Sequence, residues 1–383
     1  MNYFFHQYKF FFFSLLLAVN FLLAGCSFIG EKNPELKSQD LGVNVPFFPV
    51  KQVWSAKIGA VDKMPLAVRV NGAMVTVASA DGVIAAIDVR TGKDIWRAML
   101  KEPLNAGVGS DGQFAAVVSS ANDLVVFEAG HEKWRQRLTA QVFTSPLVAG
   151  RRVFVLTAEY GIMAFDAKDG RHLWAQQKTG GNLALRQSSV FIAVGNTLVT
   201  GISGRLIGLD PDTGTVRWDV PFSVPRGTND VERLVDLVGN PSRLGDSFCV
   251  RSFQTAVGCV DISRGVVSWI QKANGFDGVD GDDTLLYGSE SNGAVLAWRR
   301  TDGTLVWMTD RLRHRRLTAP LLLGRSVVFG DDGGEVHFLS REDGSPLNRL
   351  TTDSSGVSVS PVVAADTLVV VSRAGYVYGF RPD

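Results

Sequence analysis

Few residues of this chain stand at spacings that do chemistry. Gly107-Val108-Gly109-Ser110-Asp111-Gly112 matches the dinucleotide-binding fingerprint by letter. That fingerprint works only where a helix follows and its first N–H groups hold a pyrophosphate. Here Gln113–Ser119 is QFAAVVS, which reads as a strand, so a glycine-rich turn is expected. The sequence holds no GxSxG elbow, no HExxH and no paired CxxC, and its five histidines (His6, His131, His172, His314, His337) are scattered. No catalytic residue, metal ligand set or cofactor is expected. Asp277–Asp283, DGVDGDD, is acidic enough to suggest calcium, but it lacks the terminal glutamate of a calcium loop and reads as a solvated turn. Arg311–Arg316, RLRHRR, is the densest local charge, either a solvated connection or a docking patch for an acidic partner.

The three cysteines divide into one and two. Cys249 and Cys259 flank a hairpin around Gln254. A three-residue loop would set them directly opposite one another, able to bridge; a two-residue turn at Gln254-Thr255 would set Cys259 against Val250, with the thiols on opposite faces. Cys26 stands apart. Residues 10–23 are mostly apolar, too few for a first reading as a membrane span, and Leu23-Ala24-Gly25-Cys26 follows directly. A short apolar core ending in small residues is a secretory signal, and the cysteine after the small pair resembles a bacterial lipobox. Residues 1–25 are thus expected to be removed and Cys26 lipidated. Ser27, in place of an aspartate, implies sorting to the outer membrane. Several acyl chains make a stable anchor where one would be marginal.

Charge excludes one large class of function. Lysine plus arginine number 39 against 38 for aspartate plus glutamate, so nothing draws the chain to nucleic acid. The 40 glycines and eight tryptophans, without a sustained helical period, point to an all-β chain of short strands and turns.

The strands repeat. Asp81–Trp96, DGVIAAIDVRTGKDIW, returns as YGIMAFDAKDGRHLW (Tyr160–Trp174), SGRLIGLDPDTGTVRW (Ser203–Trp218) and NGAVLAWRRTDGTLVW (Asn292–Trp307). Degraded copies end at Trp134 and Trp269, and a further copy has Asn348 where the tryptophan should stand. The repeat tryptophans fall 38 residues apart at the closest (Trp96 to Trp134) and 51 at the widest (Trp218 to Trp269). Four short strands in such a period make a propeller blade. Seven blades are expected near 62–100, 104–138, 142–178, 185–222, 232–272, 276–311 and 317–350. An eighth, from Gly356 to Arg381, has three strands, and the stray strand Val50–Ile58, carrying Trp54, supplies the fourth. The expectation is an eight-bladed β-propeller over 50–383, its last blade closed by the N-terminal strand, preceded by a flexible tether over 26–49. Proline often opens the inner strand (Pro65, Pro146, Pro241, Pro320, Pro361), and the tryptophans are expected to wedge between blades.

The blade phrase resembles the repeat of the pyrroloquinoline-quinone dehydrogenase propellers. That resemblance would imply a cofactor floor, a calcium site with acidic ligands and often a vicinal disulfide, none of which is visible in this sequence. The repeat together with the lipobox, the length and the N-terminal closure is similar to the BamB family, lipoprotein subunits of the outer-membrane β-barrel assembly machinery. This likeness covers essentially the whole chain after Cys26. Asn182–Arg186, NLALR, is similar to that family's Leu-x-Leu-Arg loop, and Glu232–Asp236, ERLVD, to its Asp-Arg-Leu-Ser-Asp loop. By this resemblance Leu183, Leu185, Arg186 and Asp236 contact BamA, the barrel-forming subunit; Val238 stands where a second aspartate is common. Asp236 could alternatively hold Arg186, or pair with Arg233. The repeat's usual hairpin favours the two-residue turn between Cys249 and Cys259. What the resemblance implies is a non-enzymatic, lipid-anchored scaffold facing the periplasm, with the rest of the assembly complex and nascent outer-membrane proteins as partners. A quinoprotein oxidoreductase and a ligand-binding envelope propeller are the alternatives.

Overall fold

The computed structural model describes residues 37–61, 64–177, 185–224 and 234–383. Among these every regular element is a strand. They form eight four-stranded antiparallel sheets, an eight-bladed β-propeller. In the first blade the strands are Arg69–Asn71, Met74–Ala78, Val83–Asp88 and Asp94–Met99, called A to D from the channel outward. Strands B and C lie between neighbouring sheets and are buried on both faces, as in Val75–Ala78 and Ile84–Ile87. The outer strand D alternates instead, because its far edge meets solvent.

The eighth blade closes as expected. Val50–Lys57 pairs with Tyr376–Pro382, from Val50 opposite Pro382 to Lys57 opposite Tyr376. Most inner strands are shorter than the sequence suggests. Pro65 stands four residues before Arg69, where its strand begins, and Pro241 lies inside strand Leu237–Leu244, at a register shift between Val238 and Ser242. A bulge leaves a residue without a ladder partner, which suits a residue with no N–H.

The recurring phrase has a mechanical meaning. Asp88 accepts the N–H of Arg90 in a side-chain turn, and Asp210 does the same for Asp212. The glycine of that turn receives the tryptophan of the preceding blade. Trp54 donates its indole N–H to the Val89 carbonyl at 2.6 Å and lies against Gly92, where a Cβ would meet the ring at 2.7 Å. Gly92 also has φ +70°, so glycine is required twice over. Trp134 to Ala167, Trp174 to Pro211, Trp269 to Arg300 and Trp307 to Arg341 repeat the bond. Trp96 and Trp218 face the degraded turns of blades 2 and 5, make no such bond among the described residues, and stay half-exposed.

Each tryptophan also needs room in its own sheet. Its cross-strand partner in strand C is small in six blades: Ala86, Ala164, Gly208, Cys259, Ala297 and Gly379. Blade 7 inverts the pair, with Phe338 opposite Asn348. Asn348 then donates to the Phe48 carbonyl at 2.8 Å, and Phe48 packs edge-on against Phe338 with centroids 5.6 Å apart. The stretch expected to be a tether thus lies along this blade over its last residues: Phe47 N–H donates to Leu347 O, and Arg349 reaches the Gly42 carbonyl.

Two further sequence expectations change. Cys249 and Cys259 face each other across a three-residue loop, Phe253–Thr255, and are joined by a disulfide. The two-residue turn is replaced because Gln254 takes φ 48° and the pair Ser252–Ala256 closes the hairpin one residue later. Asp277–Asp283 is not a solvated turn. Asp277 accepts the N–H groups of Gly278 and Ala319, and Asp280 those of Gly281 and Leu322, so two carboxylates three residues apart fasten blade 6 to the inner strand of blade 7. Burial pushes both carboxyls above their ordinary range. The basic run splits: Arg315 is bonded to buried Asp331 at 2.7 Å, and Arg316 lies over the Phe276 ring. Gly107–Gly112 is, as expected, a strand and turn. A Cβ on Gly109 would meet the Pro146 carbonyl at 1.9 Å, so this glycine lets the inner strands of blades 2 and 3 approach.

Candidate partner-docking site

The two loops singled out in the sequence, 51 residues apart between Leu185 and Asp236, meet in space. The Leu185 N–H donates to one carboxylate oxygen of Asp236 at 3.1 Å, and the Tyr160 hydroxyl donates to the other at 2.9 Å. Phe253 N–H caps the Asp236 carbonyl. Asp236 is buried at 6 % exposure, and its two carboxylate oxygens are held by the Leu185 and Tyr160 donors. Burial, and then the Asp236 charge, push the Tyr160 phenol far above its ordinary range, and the hydroxyl stays a donor.

Backbone bonds zip the same two segments further. Val190 N–H reaches Leu237 O, Gly239 N–H reaches Ser188 O, and Ser189 bridges to Val238. Ser189 adds its hydroxyl to the carbonyls of Gly201 and Leu237 and its N–H to Thr144 Oγ1. Blade 4's first strand, Phe191–Val194, begins only after this zipper, so Leu185 is outside the sheet and half-buried. Arg186 is exposed, its guanidinium 5.6 Å from the Phe143 ring centroid. A small cavity of about 20 Å³ lies behind, lined by Phe143, Tyr160, Leu185 and Asp236.

The structure therefore brings Leu185, Arg186 and Asp236 together, but gives Asp236 another task than holding Arg186: it locks the main chain that presents Leu185 and Arg186. Val238 is buried in the ladder opposite Arg251. Leu183, Glu232, Arg233 and Cys26 lie outside the described residues. Tyr160 and Phe143 were missed by motif reading. Tyr160 had a signal, because it replaces the Asp81 of the first repeat at the turn before the glycine, and it holds φ 59° there.

Among the described residues no helix is long and apolar enough to cross a membrane, and no three His, Cys, Asp or Glu side chains gather as metal ligands. The features tied to the quinone propellers do not match these residues. The disulfide joins facing strands, not neighbours in sequence, and both Asp277 oxygens hold backbone N–H groups.

Comparison with known proteins identifies the family. The profile of the family described as "Outer membrane protein assembly factor BamB" matches residues 80–309. The protein of that name from Burkholderia pseudomallei is 36% identical over 340 residues, covering 88% of this chain and 89% of its own. The crystal structure of BamB from Moraxella catarrhalis superposes with a TM-score of 0.80 at 22% identity, over 87% of this chain and 100% of that one. A quinohemoprotein alcohol dehydrogenase from Comamonas testosteroni gives 0.68 at 15%, over 86% and 76%. At those identities the two structures establish a shared fold alone.

Proposed function

Because the chain belongs to the family of the outer membrane protein assembly factor BamB, we propose that it acts in outer-membrane protein assembly as a non-enzymatic scaffold that binds BamA. The single observation that carries the docking role is the Asp236 clamp. A buried carboxylate that gathers Tyr160 and the Leu185 N–H fixes a loop whose outward products are a half-buried leucine and an arginine. A rigid loop offering an apolar anchor beside a guanidinium is what a docking surface needs, because ordering costs are met before the partner arrives. By its match to the family's loop, Leu183 is a further contact residue for BamA. Cys26 carries the lipid that holds the protein at the outer membrane, facing the periplasm, near the rest of the assembly complex and its nascent barrel clients.

The test is co-purification from detergent-solubilised membranes. The parent chain brings BamA into the eluate, and a folded L185A/R186A variant does not. BamA recovered equally with both removes the docking role. The quinoprotein alternative rests on fold likeness, and dye reduction after adding the quinone and calcium checks it.

A further inference from the structure

The mouth of the central channel opens into a cavity of about 1060 Å³. Three arginines line it, Arg186 before blade 4, Arg316 before blade 7 and Arg373 in blade 8. Elsewhere the arginines are mostly engaged: Arg135, Arg217, Arg315 and Arg341 all sit in ion pairs. Arg186 and Arg316 instead set their guanidinium carbons over the rings of Phe143 and Phe276, at 5.6 Å and 4.8 Å from the ring centroids. Stacking occupies the face of a guanidinium and leaves its N–H edge free for a carboxylate. Among the described residues none of the three has a side-chain hydrogen bond or an ion pair.

The anions of the same wall are already engaged. Both Asp277 oxygens accept N–H groups, from Gly278 and Ala319, and Asp81 accepts the Ser79 hydroxyl. The cavity wall therefore holds two carboxylates already bonded within the chain, Asp277 also feeling the Arg316 charge, and three guanidinium groups without an ion pair among the described residues. Its remaining wall is largely apolar, including Met64, Leu66 and Val357.

We propose that this channel mouth binds an extended, acidic peptide segment of a protein partner, gripped by Arg186, Arg316 and Arg373. Ring geometry selects a chain over a small anion. Blades 4 and 8 are four places apart in a ring of eight, so Arg186 and Arg373 approach from opposite sides. A strand with spaced carboxylates that crosses the mouth can meet all three, which a single small anion does not need. The volume lies just above the ~300–1,000 Å³ of small-ligand sites and is open to solvent.

The inference goes beyond docking to BamA, and its test leaves Leu185 and Arg186 in place. A fluorescein-labelled peptide of alternating aspartate and alanine is titrated against the full chain by anisotropy, with an asparagine–alanine peptide as control. The acidic peptide binds, weakens as salt rises, and binds R316Q/R373Q about tenfold or more weakly, a loss of about 1.4 kcal/mol. R316K/R373K keeps the charge and recovers part of the affinity, and unchanged thermal unfolding of both variants keeps the comparison valid. Equal binding of parent and R316Q/R373Q, equal binding of the asparagine peptide, or no binding to the parent overturns the site. Citrate or phosphate displacing the peptide at concentrations near the peptide's own Kd assigns it to small anions and overturns the peptide. BamA capture by R316Q/R373Q is read separately, so loss of one activity is distinguishable from loss of the other.

Discussion

The Tyr160 hydroxyl and the Asp236 carboxylate, 76 residues apart in the chain, share a buried hydrogen bond of 2.9 Å. Through it blade 3's hairpin turn sets the path of the segment entering blade 5. Removing the hydroxyl leaves a buried carboxylate with one donor fewer. Y160F is expected to lower stability by ~1–3 kcal/mol in urea titration. It should also weaken BamA capture although it deletes no exposed atom. Full capture at reduced stability would separate the clamp from docking.

Trp54 closes the ring, whereas Trp96 and Trp218 face turns that offer their indoles no carbonyl among the described residues. W54A is expected to cost roughly 3–5 kcal/mol, and W96A and W218A clearly less. Melting temperatures of the three variants give the ranking, and equal losses would refute the role given to the Val89 bond.

Phe338 and Asn348 form a swapped pair, large where the other blades are small and small where they are large. N348W alone should overpack blade 7 and destabilise it by ~1–3 kcal/mol. F338A/N348W should recover part of that loss by restoring the pattern of the other blades. A double-mutant cycle measures the coupling, and additive effects would mean the two sites do not share space.

Cys249 and Cys259 close a short loop, ten residues apart. Reduction is expected to cost ~2–3 kcal/mol through the unfolded chain. Both sulfurs are fully buried, so reductant should act only after local opening. Alkylation mass spectrometry in native buffer and in denaturant checks both statements.

Asp331 is fully buried among His337, Arg315 and the N–H groups of Gly333 and Glu335. Burial alone would raise its pKa; the bond and charge of His337, the Glu335 amide and Arg315 outweigh it and hold the carboxyl at about 2. An unfolded aspartate ionises near ~3.9, so folding favours the charged form. The resulting stability, on the order of 2 kcal/mol, is present above pH ~4 and lost as pH falls toward the folded value. D331N should flatten this acid limb in unfolding curves measured between those limits.

The ring was legible because its period is carried by chemistry that only one structure uses: an aspartate for the turn, a glycine for the indole, a tryptophan to fill it. The eighth blade followed from a strand too many at one end and one too few at the other. The disulfide was not legible, since one residue of loop length decides whether Cys259 meets Cys249 or Val250, and the positive φ of Gln254 is not a feature glutamine announces. Asp277 and Asp280 misled for a related reason. An acidic run looks solvated until the partner N–H groups, from a blade 42 residues onward, are in place. The docking loops were visible as departures from the repeat; that Asp236 faces inward was not.

Closure by the first strand has a consequence for how the molecule comes into being. Synthesis releases Val50–Lys57 before any of its partners exist, and Tyr376–Pro382 follows all the other strands of the ring. Until then the array has two raw edges, and every intermediate length is an adhesive β-surface. This pairing, distant in sequence, is thus also the ring's completion signal. A prematurely ended chain would hold good blades and still be recognisable as unfinished, by an orphaned strand at its own beginning.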